Sequence, residues 1–266
     1  MRPRINFVLA AWSALVLAFL LGPIVAILPI GFSSGTSLSY PLPGFSLRWF
    51  GVVFEAYPWM FALRNSLMIG LLTVVIAVPL GTLAAFGLES ADFPGKAIVR
   101  GLLLSPMVMP VVIVALAATL VLARVGLHGS FVGIVLAHAG LALPFVVIPV
   151  TASLKGFDPN LARAAASLGA SPFATFRQVT LPLIAPGVAS GAVFAFVTSF
   201  DEVVVALFVS SPSTLTLPRQ LFSGLRDELT PSLVAISLVL IVVSCGLMLC
   251  VEYLRQRGDR LRNAEE

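Results

Sequence analysis

Residues 158–187 of the chain read DPNLARAAASLGASPFATFRQVTLPLIAPG, a stretch that is neither continuously apolar nor a simple loop. It contains two helix starts, because Asp158 and Ser171 are N-capping residues and each precedes a proline, Pro159 or Pro172, that suits the first helical position. Gly169 separates the two starts, and glycine commonly ends helices. The stretch therefore predicts a helix over 160–168, a tight glycine turn and a second helix over 173–180.

Both predicted helices of this hairpin, residues 158–182, are short. The second is expected to end at Leu181-Pro182, since proline interrupts a helix. Helices shorter than about 12 residues are marginal in water, so the pair must pack against something. The side chains available for such contacts are Leu161, Ala165, Leu168, Phe173 and Phe176. Two interpretations remain open: the hairpin lies on the lipid interface or on its own bundle, or it inserts into a cytoplasmic partner.

The composition around the hairpin is that of an integral membrane protein. Of 266 residues, 59% are hydrophobic and 11% are charged, and the mean hydropathy is +1.05, outside the range of soluble domains. Several apolar stretches are long enough to cross about 30 Å of hydrocarbon as helices. They cover approximately 7–30, 65–88, 101–123, 131–154, 187–209 and 232–254. The prediction is an all-α membrane protein with a single domain over 1–266, six transmembrane helices and a cytoplasmic loop at 156–186.

Lysine and arginine residues indicate which side of the membrane each loop occupies. Eleven of the 16 fall in segments on the side of the N-terminus and five on the other side, which favours two cytoplasmic termini and a cytoplasmic 156–186 loop. The net charge of +4 then reflects topology and gives no reason to expect nucleic-acid binding. The alternative for 7–30 is a signal peptide, but the apolar run is longer than usual and lacks a small-x-small cleavage site.

The hairpin also carries a family pattern. It resembles the EAA loop of permease subunits of ATP-binding-cassette importers, which reads Glu-Ala-Ala, three residues, Gly, nine residues, Ile, one residue, Leu-Pro. The matching positions are Ala164, Ala165, Gly169, Leu181 and Pro182. Val179 takes the isoleucine position, whereas Arg163 stands where the family has glutamate. The stretches RNSLMIG (64–70), LLLSP (102–106) and SFDEVVVALFVSSPSTLTLPRQLFSGLR (199–226) resemble the second permease subunit of polyamine-type importers.

This resemblance implies a type I importer fold, partners and a location in the bacterial inner membrane. In such importers a pair of permease subunits forms the pathway, a dimer of ATPase subunits binds the EAA loops, and a periplasmic or extracellular solute-binding protein delivers the solute. The residues that would couple to the ATPase are Arg163, Ala164, Ala165, Leu168, Gly169, Ala170, Phe173, Leu181 and Pro182. Whether the second permease is a different chain stays open.

The chain itself is not expected to hydrolyse ATP. It contains no Gly-x4-Gly-Lys-Ser/Thr loop of the kind that cradles nucleotide phosphates. We therefore predict a non-catalytic subunit that holds no cofactor, with ATP and Mg bound by the partner ATPase.

Two neighbouring carboxylates, Asp201 and Glu202, fall inside the predicted span 187–209. Charged side chains near the membrane centre cost about 2.5 to 3.5 kcal/mol each and generally face a cavity or a partner. The pair suits a cationic solute such as putrescine or spermidine, which the resemblance also implies. Neighbours on a helix point about 100° apart, so one of the two, Asp201 by preference, would face the pathway.

Other interpretations of these residues stay open. The carboxylates bond to the second permease, pair with Arg64 or Arg124, or sit at the water boundary. Ser199 and Trp49 are further candidate pathway residues, although a tryptophan in an outer loop is also typical of an interfacial anchor. No acidic residue follows the LLLSP stretch, where spermidine-type members would carry one, so an opine or aminophosphonate-like solute is the alternative substrate class.

Other classes of function find less support. A secondary transporter driven by an ion gradient remains an alternative, but the two halves show no inverted repeat. A membrane enzyme would need clustered His, Asp or Glu residues, and the chain has two histidines, His128 and His138. Neither these nor Cys245 and Cys250 have metal-ligand spacing, so no metal site is predicted. The 210–231 loop is interpreted as a seat for the solute-binding protein or as a solvated loop.

Overall fold

The computed structural model of the protein describes residues 7–227 and 229–263. These residues form helices and no strand, apart from an isolated bridge between Ser33 and Phe45, which confirms the predicted all-α class. The α-helices are α1 (Phe7–Ile27), α2 (Arg48–Glu55), α3 (Tyr57–Ser90), α4 (Lys96–Val108), α5 (Val111–Arg124), α6 (Phe131–Lys155), α7 (Pro159–Ser167), α8 (Pro172–Thr175), α9 (Leu181–Phe200), α10 (Val204–Val209), α11 (Leu217–Asp227) and α12 (Pro231–Asn263). A π-helical turn, Phe176–Thr180, connects α8 to α9.

The chain divides into two compact units. One contains the chain up to Met60 together with Leu221–Val243, and the other contains Phe61–Gln220 together with the chain from Ser244 onward. The hairpin and the carboxylate pair belong to the second unit, and Trp49 belongs to the first. The single permease domain over 1–266 stays a prediction.

Four helical segments are long and apolar enough to cross a membrane, within the part of the chain that the structure describes. They are Val8–Phe32, Tyr57–Ser90, Phe131–Lys155 and Pro172–Phe200. The bent pair α4 and α5 would add a fifth, and a shorter apolar helix covers Pro231–Gly246. The count of six spans therefore stays a prediction. The cytoplasmic placement of the termini concerns residues 1–6 and 264–266, which lie outside the described residues.

The predicted span 101–123 has a different form in the structure. α4 ends at Val108, α5 begins at Val111, and the two helices are bent by 109°. Met109 between them has an extended backbone, with φ −74° and ψ 143°. The cause is Pro110, because a proline disfavours the helical conformation in the residue before it. The Met109-Pro110 pair thus replaces one straight span with a sharply bent pair of helices.

The second helix of the hairpin was expected to end at Leu181-Pro182, but the structure shows no helix end there. The helical segment Pro172–Phe200 runs through it, with the π-helical turn just before the proline. In that turn the Leu181 amide donates to the Phe176 carbonyl, five residues back. The wider turn lets a new α-helical register begin at Leu181, so that Pro182 falls in the first turn of α9, where a missing N–H is tolerated.

The second unit contains a close contact between α6 and α9. A Cβ atom on Gly187 would lie 2.7 Å from the Pro149 carbonyl oxygen, and one on Gly191 would lie 3.1 Å from the Val146 Cα. Such distances mean that the two backbones approach as closely as glycine permits, a packing typical of membrane helices. Because the hairpin connects the end of α6 to the start of α9, this contact holds its two ends together.

The short helix α10 is anchored in the core of the same unit. It packs against α5 and α6, and Val205 and Val209 are buried in a cluster with Leu122 and Ile134. The burial of these apolar side chains fixes the position of the chain immediately after the carboxylate pair.

Candidate functional site

The first half of the hairpin folds as its sequence predicts. α7 covers Pro159–Ser167, and the Asp158 carboxylate caps it by accepting a hydrogen bond of 2.9 Å from the Asn160 amide. Gly169 then adopts φ +88°, a left-handed conformation that residues with a side chain rarely take. The Ser171 hydroxyl caps the next helix, where it accepts a hydrogen bond of 3.2 Å from the Ala174 amide. The predicted caps and the glycine turn are thereby confirmed.

The tip of the hairpin presents apolar side chains to its surroundings. Neither α7 nor α8 contains a buried residue. On the two sides of the Gly169 turn, Leu168 is 90% exposed and Phe173 is 72% exposed. Of the other predicted coupling residues, Arg163, Ala164 and Pro182 are exposed, and Ala165, Ala170 and Leu181 are half-buried. Large apolar side chains this exposed at the tip of a hairpin are typical of a contact surface.

A cavity of about 700 Å³ lies behind the hairpin. Its walls come from α7 and the π-helical turn on one side and from the ends of α3 and α6 on the other. Phe86 and Phe176 meet edge to face at its border, with ring centroids 4.9 Å apart. Glu89 and Arg163 are charged residues in its lining. The hairpin therefore rests on the bundle with open space beneath α7.

The two carboxylates lie at an interruption of the helix and not within it. α9 ends at Phe200, and α10 begins at Val204. This position corrects the expectation of a continuous span over 187–209. The Glu202 Oε1 atom accepts a hydrogen bond of 2.8 Å from the Val205 amide, so this carboxylate caps α10.

Asp201 has a different environment from its neighbour. It is exposed, and no cationic group lies within ion-pair distance of it among the described residues. In particular, neither Arg64 nor Arg124 forms the pairing that the sequence left open. Of the two carboxylates, Asp201 is the one without a partner in this part of the protein.

Ser199 is enclosed by protein in this conformation. It is 4% exposed, and its hydroxyl lies 2.8 Å from His138 Nδ1 and donates a hydrogen bond of 3.2 Å to Thr73 Oγ1. These bonds connect α9 with α6 and α3. Ser199 thus contributes to helix packing here, and its role in the pathway stays a prediction. His138, only 1% exposed, belongs to the same helix packing.

Trp49 lies in the first unit, where its polar atom and one ring face already have partners. The indole N–H donates a hydrogen bond of 3.1 Å to the Gly35 carbonyl, and the Arg48 guanidinium lies 4.5 Å from the ring centroid. Arg48 also donates to the same carbonyl at 2.7 Å. A cationic amine that stacked on this ring face would have to displace Arg48.

Sequence reasoning missed a set of polar residues that hold the Ser210–Leu217 segment. The Asn65 side chain donates hydrogen bonds to the carbonyls of Ser213, at 3.3 Å, and Leu215, at 3.0 Å. The Leu217 amide donates to the Ser66 hydroxyl at 2.8 Å. The structure shows that Asn65 and Ser66 are both buried. The available sequence signal was a pair of polar residues near the start of an apolar helix, because a polar side chain buried there needs a hydrogen-bond partner.

The same segment is held at its other end. The Ser211 hydroxyl donates a hydrogen bond of 2.7 Å to the Gly129 carbonyl, and Arg219 donates to the Ser210 hydroxyl. Burial lowers the pKa of the Arg219 guanidinium, which still stays protonated at neutral pH. The interpretation of this stretch as a simple solvated loop is therefore wrong for 210–217.

The structure contains no group of three His, Cys, Asp or Glu residues placed to hold a metal ion within the ranges 7–227 and 229–263. The candidate functional features described in the second unit are instead the exposed hairpin, the helix interruption at Asp201 and the hydrogen-bonded Ser210–Leu217 segment.

Residues 77–260 match the family described as binding-protein-dependent transport system inner membrane component. The chain belongs to this family. As an inner membrane component of this kind, it is a permease subunit of an ATP-binding-cassette importer.

Individual members of the family are similar over most of their length. The chain is 33% identical to the spermidine/putrescine transport system permease protein PotC of Escherichia coli (strain K12), over 85% of this chain and 86% of that protein. It is 32% identical to the putrescine transport system permease protein PotI of the same strain, over 92% and 89%. A trehalose transport system permease protein, SugB of Mycobacterium tuberculosis, is 30% identical over 72% and 74%.

Chains in solved structures of ABC transporters have the same fold. A chain of a bacterial ABC transporter that imports the acidic polysaccharide alginate matches with a TM-score of 0.74 at 17% identity, over 94% of this chain and 96% of that one. A chain of an amino acid ABC transporter matches with a TM-score of 0.58 at 18% identity, over 79% and 98%. These likenesses support the predicted importer permease fold.

Proposed function

We propose that this chain forms half of the translocation pathway for a small cationic amine such as putrescine or spermidine, and that it couples to a separate ATPase through the hairpin. The observation that carries the substrate class is Asp201, an exposed carboxylate without a cationic partner among the described residues, at the point where α9 is interrupted. An unpaired carboxylate at a break in a membrane helix attracts a positively charged group.

The choice of a cationic solute needs support beyond family membership, because the family also contains a trehalose permease. Two of the similar relatives are named for spermidine and putrescine, and both are similar over more than four fifths of this chain. A sugar carries no charge and gains nothing from an unpaired carboxylate, whereas an ammonium group forms a charge-assisted hydrogen bond with it. An opine or an aminophosphonate, which bears both signs of charge, is the alternative.

The hairpin supports the coupling part of the proposal. Its exposed Leu168 and Phe173 suit insertion into an apolar groove of a cytoplasmic ATPase subunit. Because α6 and α9 are in backbone contact at Gly187 and Gly191, a displacement of the hairpin would move both helices together. α9 ends directly before Asp201, so the motion would reach the carboxylate.

The rest of the assembly follows from the same proposal. A second permease subunit, identical or different, completes the pathway, and a dimer of ATPase subunits binds the two hairpins. ATP and Mg are bound by the ATPase, and this chain acts without catalysis or a cofactor of its own. A periplasmic solute-binding protein delivers the amine, lipid surrounds the spans, and both termini face the cytoplasm.

The experiment that tests the substrate class is ATPase activity of the complete transporter in lipid nanodiscs, with its cognate ATPase and solute-binding protein. The solutes are putrescine, spermidine, an aminophosphonate and trehalose. The variant Asp201→Asn removes the charge and keeps the size, and Glu202→Gln is the matched control because its amide oxygen still caps α10. Since a hydrogen bond to a charged group contributes about 1.5 to 3 kcal/mol, Asp201→Asn should raise the half-saturating amine concentration about tenfold or more.

Three results would contradict this function. One is stimulation by trehalose and not by any amine. Another is an unchanged amine response in Asp201→Asn. The third, a loss of response in Glu202→Gln equal to that in Asp201→Asn, would mean that the helix break and not the free carboxylate is what matters.

A further inference from the structure

Arg163 carries a positive charge that the fold does not neutralise. Among the described residues, the ion pairs involve the cations Lys96 and Arg100, both in α4. The contact found for the Arg163 guanidinium is with the side-chain oxygen of Asn160, at 3.3 Å, which is a neutral acceptor. Arg163 is exposed, on a helix without buried residues.

Two carboxylates, one in the cavity lining and one in the hairpin itself, already have partners. Glu89 lines the same cavity as Arg163, but its carboxylate accepts from Arg100. Asp158 caps α7 through the Asn160 amide and lies beyond ion-pair distance of Arg163. The hairpin therefore offers a cation and exposed apolar side chains, with no counter-charge supplied by the described part of the chain.

We propose that the ATPase subunit presents a carboxylate to Arg163, so that in this contact the permease contributes the cation and the ATPase the anion. This inference rests on the proposed function, in which the ATPase covers Leu168 and Phe173. A groove with an apolar floor would leave the guanidinium at its rim partly desolvated, where an opposite charge is strongly favoured and a like charge is strongly disfavoured.

An anionic lipid headgroup offers the same charge, but the composition of the hairpin argues against it. Helices that lie on membranes combine a broad apolar face with a polar face rich in lysine and arginine. α7 has the sequence PNLARAAAS, with Leu161 as its large apolar residue and Arg163 as its basic residue. One large apolar residue and one basic residue fall short of that composition, whereas the exposed tip at Leu168 and Phe173 suits a protein groove.

The test uses the permease assembly in nanodiscs of neutral lipid, and in a second set that contains anionic lipid, together with the purified cognate ATPase. The affinity is measured between about 50 and about 500 mM NaCl, a range over which exposed charge pairs become screened. The variants are Arg163→Gln and Arg163→Glu, with Arg177→Gln as the matched control, because Arg177 is an exposed arginine of the π-helical turn. We expect Arg163→Gln to weaken binding about tenfold at low salt and Arg163→Glu further, whereas Arg177→Gln keeps the affinity within about twofold.

A reciprocal test identifies the partner residue. Each Asp and Glu on the surface of the ATPase is changed to Lys in turn, and each change is combined with Arg163→Glu. Restoration of binding by one of these changes is the expected result. The inference is overturned if no such change restores binding, if both Arg163 variants bind with the affinity and salt dependence of the parent, or if the Arg163 effect is found only in nanodiscs that contain anionic lipid.

A failure of this inference differs from a failure of the proposed function. The double variant Leu168→Ser with Phe173→Ser separates the two. If it loses ATPase binding while the Arg163 variants keep it, the hairpin is the contact and only the ionic inference is wrong. If it also binds normally, the ATPase does not use the hairpin and both are wrong.

Discussion

The hairpin and the Ser210–Leu217 segment are both irregular interruptions of the second unit, yet their surfaces differ. The hairpin exposes Leu168 and Phe173 and has a cavity behind it. The Ser210–Leu217 segment has buried residues at Ser210, Thr214, Thr216 and Leu217 and receives hydrogen bonds from side chains of distant elements. The difference indicates that the Ser210–Leu217 surface is completed within the chain, whereas the hairpin surface is left open for the ATPase subunit of the proposed function.

The stability of the isolated permease tests whether the two regions differ in this way. A change in a completed surface should lower the melting temperature of the purified chain in detergent, whereas a change in the hairpin tip should affect only assembly and coupled transport. Four variants, the last of them a double one, test this from the largest expected effect on stability to the smallest.

The largest effect is expected for Gly187→Val, in the contact that holds the two ends of the hairpin together. The new Cβ would lie 2.7 Å from the carbonyl oxygen of Pro149, which is backbone and cannot rotate away. Overpacking of this kind costs about 1 to 3 kcal/mol or more. Thermal melting should show it, with Gly140→Val on α6 as the control, since a Cβ at Gly140 meets no atom within 4 Å. Equal melting temperatures for the two variants would refute the close α6–α9 contact.

The second-largest loss of stability is expected for Asn65→Leu, which removes the donor to the carbonyls of Ser213 and Leu215. An unsatisfied buried polar group costs about 1 to 3 kcal/mol. The control is Gln178→Leu, an exposed amide of the π-helical turn, which should leave the melting temperature of the isolated chain unchanged. If Asn65→Leu melts like the parent, the Ser210–Leu217 segment is not held as described.

A smaller effect on stability is expected for Gly169→Ala. The left-handed conformation at φ +88° costs a residue with a side chain about 1 to 2 kcal/mol, while the added Cβ meets no atom within 4 Å. The strain should therefore remain local to the hairpin. The control is Gly156→Ala, whose φ of −85° suits any residue. Coupled transport should fall in Gly169→Ala and not in Gly156→Ala, and normal coupling in both would exclude a rigid turn.

The smallest effect on stability is expected for Leu168→Ser with Phe173→Ser. Both side chains are exposed, so their replacement should change the free energy of unfolding by less than about 0.5 kcal/mol. A marked loss of stability in the isolated permease would place these side chains inside the fold, and the comparison between the two regions would then be wrong.

Local sequence signals predicted the hairpin well, because caps and glycine turns depend on neighbouring residues. Asp158, Ser171 and Gly169 act in the structure as their chemistry suggests. The bend at Met109-Pro110 was also within reach of such reasoning, since the residue before a proline is biased away from helix. It was missed because the apolar run 101–123 was long enough to be interpreted as one straight span.

Other features depend on contacts that no local pattern encodes. The π-helical turn makes Pro182 acceptable by shifting the register before it, and a proline alone does not reveal such a shift. The hydrogen bonds from Asn65 join residues about 150 positions apart in sequence, and the contacts of Ser199 with Thr73 and His138 are also long-range. Asp201 and Glu202 have similar chemistry in the sequence, and only the start of α10 distinguishes the capping carboxylate from the free one.

The glycine contact between α6 and α9 also restricts where a solute can travel. At Gly187 the space between the two helices is too narrow for one additional methyl group, and at Gly191 it would be tight. A hydrated amine is far larger, so no channel can open along this seam unless the helices separate. As long as this contact is kept, a solute that passes Asp201 must cross the membrane on another side of α9. We therefore expect cysteines introduced between α6 and α9 at this contact to stay inaccessible to labelling reagents throughout the transport cycle.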